Sequence, residues 1–145
     1  MNSVYRQFTD QIAADAARAA ALPLPHPFAW LTGAWRWHGQ VIQLAATPYG
    51  LSHDGQPFLI HNPTSSMWLL VLADPDAFGL LISLGPRAAE ARFTGEITIH
   101  NSAVPLRQSW LRLSASEVEV TTERQRHGRW QLWERALLER ITPSN

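Results

Sequence analysis

After residue 28 the chain is a succession of short runs in which apolar and polar residues tend to alternate. In residues 91–100, Ala, Phe, Gly and Ile occupy one face of an extended chain, and Arg, Thr, Glu and His occupy the other. A period of two residues is typical of a β-strand with one buried face. Turn residues separate nine predicted strands: residues 34–45, 49–53, 57–61, 67–73, 78–84, 91–100, 104–113, 117–125 and 130–139.

No helical pattern interrupts these strands, so the sequence predicts a mainly β fold for residues 28–145. Short strands at close spacing are typical of antiparallel sandwiches and barrels. Closing the sheet into a barrel removes exposed edges, which are an aggregation hazard for strands as apolar as these. We therefore expect a single antiparallel up-and-down β-barrel of about 8–10 strands.

Two runs depart from alternation. Residues 67–72 and 78–82 are apolar on both faces and are joined by the turn residues 74–76. A strand that is apolar on both sides is covered on both sides. The barrel interior would cover one face, and either an N-terminal helix or a partner subunit would cover the other.

The first 27 residues have a different pattern. Apolar residues recur at spacings of three and four: Tyr5, Phe8, Ile12, Ala16 and Ala19. This stripe predicts an α-helix that begins at Ser3 or Asn2 and ends near Ala20. Prolines within residues 22–27 stop the helix and form an extended connector. We expect residues 1–27, the helix and connector, to form one domain with the barrel of residues 28–145.

Composition excludes several kinds of chemistry. Twelve basic residues, all arginine, balance twelve acidic ones, so net charge gives no reason to expect a nucleic acid or a membrane as partner. Without lysine there is no Schiff base, and without cysteine there are no disulfides, thiolate nucleophiles or cysteine-ligated zinc. The chain contains neither a continuous apolar signal segment nor an apolar run of about 18 residues, so we expect a cytoplasmic protein.

Six histidines raise the question of a metal or heme site. Their spacing contains no H-x-H or HExxH pattern, and the catalytic motifs GxSxG, P-loop and GxGxxG are missing from the sequence. Asp54-Gly55 is a strong two-residue hairpin signal, and in that register His53 and His61 lie on opposite faces. His127 is expected in a turn. We therefore predict no metal site and no catalytic residue.

The last predicted hairpin places a charged residue on an apolar face. If residues 127–129 form a three-residue turn, Glu134 lies on the face of Val118 and Val120, whereas a two-residue turn places Arg135 there. A buried charge is costly unless it is paired. The partner would be a charge on another strand or a bound ligand, so the two residues are candidates for a site or for a structural ion pair.

Two stretches resemble known families. Residues 28–37 (FAWLTGAWRW), followed by residues 55–59 (GQPFL), are similar to the front half of nitrobindin-like, fatty-acid-binding-protein-type barrels. Residues 93–96, 107–110 and 128–135 resemble a family of uncharacterised bacterial lipocalin-like proteins. Both resemblances point to the lipocalin-like, or calycin, β-barrel superfamily.

The calycin resemblance implies a structural role for Gly33 and Trp35, which would close one end of the barrel. Trp35 would lie under an arginine of a late strand, here Arg135 or Arg140. Nitrobindin-like proteins bind heme through a histidine near the C-terminal end, and this chain has none after His127. We therefore expect no cofactor.

The leading hypothesis is a bacterial, cytoplasmic barrel that binds a small, mostly apolar molecule in an aromatic-lined cavity. The candidate ligand-binding residues are Trp37, Trp68, Trp110, Trp133, Glu134 and Arg135. Three alternatives remain: a heme-binding nitrobindin-like protein, a small-molecule enzyme that depends on a buried Glu134 or Arg135, and a dimerising structural module. A homodimer is also the partner prediction for the doubly apolar strands.

Overall fold

A computed structural model describes residues 3–19, 22, 26–74 and 76–141. An α-helix, α1 (Ser3–Ala19), precedes a short 3-10 helix (Ala29–Leu31). The described strands are β1 (Gly33–Trp37), β2 (Gln40–Thr47), β3 (Gly50–His53), β4 (Gln56–Asn62), β5 (Met67–Ala73), β6 (Ala77–Ser83), β7 (Glu90–Ile99), β8 (Ser102–Ser114), β9 (Glu117–Arg126) and β10 (Arg129–Arg140). Of the predicted helix ends, Asn2 and Ala20 lie outside the described residues.

The ten strands form one closed antiparallel barrel. Each strand pairs with its neighbours in sequence, and β1 pairs with both β2 and β10. The prediction of a mainly β, up-and-down barrel with an N-terminal helix is therefore confirmed. Because the sheet closes on itself, none of these ten strands is left as a free edge.

The single strand predicted over residues 34–45 is wrong, because β1 and β2 form a hairpin there. Its turn is His38-Gly39, with φ values of 53° and 72°. Positive φ at both central residues is the signature of the type I′ turn, whose twist matches that of paired strands. His38 occupies the position that Asn or Asp usually holds in this turn. The predicted turns at Asp54-Gly55 and His127-Gly128 are present and have the same signs of φ.

Helix α1 lies on the outer wall of the barrel. Ala13 and Ala16 are buried against Ile60 of β4 and Val71 of β5. The prediction that the doubly apolar strands are covered on both sides is thus confirmed under the helix. Towards the far end of β6 the cover is incomplete, since Ile82 is 42% exposed.

Tyr5 attaches the first turns of α1 to β6. Its ring centroid lies 5.2 Å from that of Phe78, and its hydroxyl donates to the carbonyl of Gly79. The predicted apolar stripe is wrong at Phe8, which is 56% exposed. Thr9 is buried instead. Its hydroxyl donates to a backbone carbonyl one turn earlier, so this buried polar group has a partner within the helix.

One end of the barrel is closed by the segment that leads into β1. Phe28, Leu31 and Trp35 are at most 1% exposed, and we call them the end cap. The indole Nε1 of Trp35 donates to the carbonyl of Leu31 over 2.8 Å. Phe28 also packs against Trp68 of β5, with ring centroids 4.9 Å apart. The end cap therefore fills this end of the interior with side chains.

Arg140 of β10 holds the end cap in place. Its guanidinium lies 4.2 Å from the ring centroid of Trp35, as the resemblance implied for Arg135 or Arg140. The same group donates to the carbonyls of Thr32 and Trp30, each over 2.7 Å. Its Nε donates to the carbonyl of Ala115 over 2.9 Å. Arg140 therefore joins three segments of the chain at the closed end.

We predict that Arg140→Lys destabilises the protein by about 2–3 kcal/mol, because an ammonium group cannot make these three bonds and stack on an indole at once. Urea unfolding would measure the loss. The matched control is Arg135→Lys on the same strand, where the arginine side chain is 61% exposed. That change should cost less than about 0.5 kcal/mol. Equal effects of the two substitutions would contradict the role given to Arg140.

A second prediction concerns the pH dependence of stability. Burial raises the pKa of Tyr5 to about 12 from its ordinary value of 10.0. The folded state therefore favours the neutral phenol, and its contribution to stability is complete below pH 10 and is lost as the pH rises towards 12.

Urea midpoints measured between pH 9 and pH 12 should accordingly fall more steeply for the wild-type protein than for Tyr5→Phe. Tyr49, whose pKa is also raised by burial, is present in both proteins and cancels in the comparison. Parallel profiles would show that Tyr5 is not buried against β6.

Candidate functional site

A bulge in β4 shapes the end of the barrel opposite the end cap. Next to the hairpin turn, His53 pairs with Gln56, but further along Leu51 pairs with Leu59. Phe58 is the extra residue, so β4 bends at this point. Phe58 and Leu59 are consecutive, yet both are buried, at 5% and 1% exposure. The bulge therefore adds a second apolar side chain to the interior.

Because of this bulge, the prediction that His53 and His61 lie on opposite faces is wrong. One extra residue reverses the face of every later residue in a strand, so both histidines are on the inner side. They lie at different levels, since His61 packs 4.9 Å from Trp68, near the end cap. Burial, together with the nearby His26, lowers the pKa of His61.

Strands β4 and β5 separate towards this open end, which we call the mouth. Their ladder joins residues 59–62 to residues 67–70 and goes no further. Residues 56 and 57 pair only with β3, Phe58 is the unpaired bulge residue, and residues 71–73 pair only with β6. An opening is left between the two strands, and a cleft of about 350 Å³ lies there.

The cleft connects the exterior with the barrel interior. Trp37, Phe58 and Leu72 contribute to its lining from the inner face of the barrel. Arg6 and Thr9 of α1 line it from outside. The walls of this cleft thus come from both sides of the sheet. Helix α1 therefore lies across the opening that is left where β4 and β5 do not pair.

A row of aromatic rings extends from the cleft into the interior. Trp37 and Trp110 have ring centroids 5.9 Å apart, and Trp110 and Phe58 are 5.6 Å apart. His53 packs on the other side of Phe58, at 5.8 Å. All three contacts are edge-to-face, the arrangement that aromatic quadrupoles favour. The predicted site residues Trp37 and Trp110 are therefore in direct contact.

A polar relay is buried beneath this row. The indole Nε1 of Trp110 donates to Oε1 of Gln108 over 2.7 Å, and Nε2 of Gln108 donates to the hydroxyl of Thr122 over 3.0 Å. The three side chains are each at most 8% exposed. Trp37 differs from Trp110, because its Nε1 is buried but finds no hydrogen-bond acceptor among the described residues.

Strand β10 contains both of the registers that the sequence left open. Near the turn, Leu132 pairs with Glu123, as a two-residue turn requires. Trp133 is then an extra residue, and beyond it Glu134 pairs with Thr122, as a three-residue turn would require. The bulge at Trp133 is the reason that neither simple register describes the whole hairpin.

Neither Glu134 nor Arg135 is buried, so the expectation of a charge enclosed among apolar residues is wrong. The side chain of Glu134 is 50% exposed, and its Oε1 lies 3.0 Å from Nε2 of His38. Arg135 faces outward, is 61% exposed and approaches Glu119 to 4.0 Å. The bulge lets Glu134 pair with a turn residue at the mouth instead of entering the apolar interior.

The four candidate tryptophans do not form one site. Trp37 and Trp110 meet at the cleft. Trp133 is 42% exposed, with the guanidinium of Arg124 5.3 Å from its ring centroid. Trp68 is 2% exposed and packs at the opposite end with the end cap. One of the four, Trp37, therefore lines the cleft, and Trp110 packs against it from the interior.

Other residues of the site were not predicted. Leu72 lies in a run that is apolar on both faces, and Phe58 is followed directly by Leu59 and Ile60. Consecutive apolar residues do not reveal which side chains point inward. The sequence did indicate that Gln108 is buried, because this residue shares one face of the strand with the apolar Leu106 and Trp110. A polar residue at a core position requires a buried partner, which here is Thr122.

The site residues do not fit a heme bound as in nitrobindin-like proteins. Strand β10 contains no histidine, and His127 precedes it in an exposed turn. Within the described ranges, no group of three or more His, Cys, Asp or Glu side chains is arranged to hold a metal ion.

Comparison of the sequence with protein-family models gives no match, and comparison with curated proteins gives no significant match. The barrel and its site therefore have to be interpreted from their own geometry. In the part of the chain that the structure describes, no helix has both the length and the apolar character needed to cross a membrane.

The buried relay yields a third prediction. Gln108→Leu leaves the Trp110 N–H without an acceptor and the Thr122 hydroxyl without its donor, and should destabilise the protein by about 1–3 kcal/mol in urea unfolding. The double variant Gln108→Leu/Thr122→Val should recover part of this loss. The exposed Gln43→Leu is the control and should change stability by less than about 0.5 kcal/mol. A neutral Gln108→Leu would contradict the buried relay.

Proposed function

We propose that the protein binds a small, mostly apolar molecule in the cleft between β4 and β5. The observation that carries the proposal is a cleft of about 350 Å³ lined by Trp37, Phe58 and Leu72. Small-molecule sites are typically concave, mainly apolar and about 300–1,000 Å³ in volume. This cleft meets each condition and opens to the exterior beside α1.

A relation to the calycin superfamily is part of the same proposal. The closed ten-stranded barrel and the stacking of Arg140 on Trp35 support it. Barrels of this size have interiors wide enough to hold a small ligand when side chains do not fill them completely. A bacterial, cytoplasmic setting and the absence of a cofactor are further parts of this proposal and rest on the sequence alone.

The alternative functions have less support. The enzyme hypothesis depended on a buried charge, and the side chains of Glu134 and Arg135 are 50% and 61% exposed. The heme hypothesis has no histidine on β10 to support it. The homodimer stays a prediction. On the doubly apolar strands, for which it was made, Ile82 of β6 is 42% exposed, and on the outer face of β10 Leu132 and Leu137 are 57% and 39% exposed.

The fourth prediction tests binding with N-phenyl-1-naphthylamine, a neutral apolar probe that becomes fluorescent in apolar surroundings. Titration of the wild-type protein should give saturable fluorescence and energy transfer from tryptophan. Leu72→Trp fills the cleft with an apolar side chain and should weaken binding about tenfold, a loss of roughly 1.4 kcal/mol. Circular dichroism and thermal unfolding would show that the variant is folded.

The matched control is Leu132→Trp, which adds the same side chain to the exposed outer face of β10. It should leave the affinity for the probe unchanged. Equal affinity in the wild-type and Leu72→Trp proteins would place the probe elsewhere and would contradict the proposed site. Loss of binding only in Leu132→Trp would assign the probe to the outer face of β10.

A further inference from the structure

We infer that the natural ligand carries an uncharged hydrogen-bond acceptor, such as a ketone, ester or amide carbonyl, that accepts the indole N–H of Trp37. This inference rests on the proposed function and narrows the class of ligand. It assigns to Trp37 a polar contact in addition to its apolar contact with the ligand.

The argument begins with the indole donors of the barrel. Trp30 donates to the carbonyl of Pro27 over 3.0 Å, Trp35 to the carbonyl of Leu31 over 2.8 Å, and Trp110 to the side chain of Gln108 over 2.7 Å. Trp37 Nε1 is also buried, but no described residue accepts its proton. Buried donors in native proteins are nearly always paired, so an unpaired one requires an explanation.

The position of Trp37 supplies that explanation. Its ring lines the cleft, so a molecule bound there is in contact with the indole. Gln108 Oε1 accepts from Trp110, the Glu134 carboxylate lies against His38, and neither group accepts from Trp37. An acceptor on a molecule bound in the cleft is a group that can satisfy this donor. Leaving a buried donor unpaired is unfavourable, and a ligand acceptor would recover part of that cost.

The charges of the cleft favour an uncharged acceptor. The charged residues of its lining are one arginine, Arg6, and two aspartates, Asp54 and Asp74. A carboxylate or phosphate on the ligand would be attracted by one of these groups and repelled by the other two. A neutral carbonyl avoids this repulsion and loses less hydration on entering an apolar cleft.

The test uses two probes that differ only in the acceptor. In 2-acetylnaphthalene a carbonyl oxygen stands where 2-isopropenylnaphthalene has a CH₂ group, and the two molecules have nearly the same shape. Wild-type protein should bind the ketone about 3- to 10-fold more tightly, the ratio that one hydrogen bond gives. Trp37→Phe keeps an aromatic side chain but removes the indole N–H, so this preference should disappear. Trp133→Phe is the matched control and should retain it.

The indole N–H signal of Trp37 gives an independent readout. In proton–nitrogen correlation spectra it is the indole signal that Trp37→Phe removes. It should move downfield when the ketone binds and should not do so with the isopropenyl compound. This readout does not depend on affinity, so any loss of stability in Trp37→Phe leaves it valid.

The outcomes separate the inference from the proposed function. If both probes bind equally well, or if the preference for the ketone persists in Trp37→Phe, the inference is wrong and the binding site stands. An unmoved Trp37 signal with bound ketone would assign its N–H to the neighbouring ring of Trp110, and would also overturn the inference. If neither probe binds at millimolar concentration, the proposed function and the inference both fail.

Discussion

The contact of Arg140 with the chain around Trp35 holds together a barrel whose closing ladder is very short. Strands β1 and β10 are joined by only two residue pairs, Trp35 with Arg140 and Arg36 with Glu139. The guanidinium adds its stacking and three hydrogen bonds at the same place. Gly33 makes room for the guanidinium, since a Cβ at this position would lie 2.7 Å from it. The φ of Gly33, +124°, also favours glycine. The side-chain contacts of Arg140 therefore add to a short backbone ladder, which the bond from the Ile141 N–H to the Ala34 carbonyl extends over 2.9 Å.

The candidate site lies away from the closed end. Phe28, Leu31 and Trp35 are buried together there, and the cleft lies at the opposite end of the barrel. There the ladder between β4 and β5 is incomplete, and α1 lies over the gap. Alanines at the contact let the helix approach the sheet closely, while its first turns supply Arg6 and Thr9 to the cleft. The same helix thus covers an apolar wall and forms part of the site.

The sequence was sufficient for the architecture and for part of the site. Alternation predicts the barrel because it is set by a repeated local pattern, and the sequence analysis named Trp37 among the candidate ligand-binding residues. It failed where a single residue changes the register: the turn at His38, and the bulges at Phe58 and Trp133. A bulge has no signal in an uninterrupted apolar run, and its consequences extend to every later residue of the strand. The doubly apolar strands lack alternation, so the sequence does not show which of their side chains point into the barrel.

The seven tryptophans fall into two groups according to the groups that contact their rings. Four have a guanidinium over the ring: Trp30 with Arg112, Trp35 with Arg140, Trp130 with Arg107, and Trp133 with Arg124. Arginine suits this role because its planar group stacks on indole and still donates in its own plane. The other three, Trp37, Trp68 and Trp110, contact aromatic rings instead. Trp68 lies with the end cap, and the N–H of Trp110 donates to Gln108. Trp37 lines the cleft, and its buried N–H has no acceptor among the described residues.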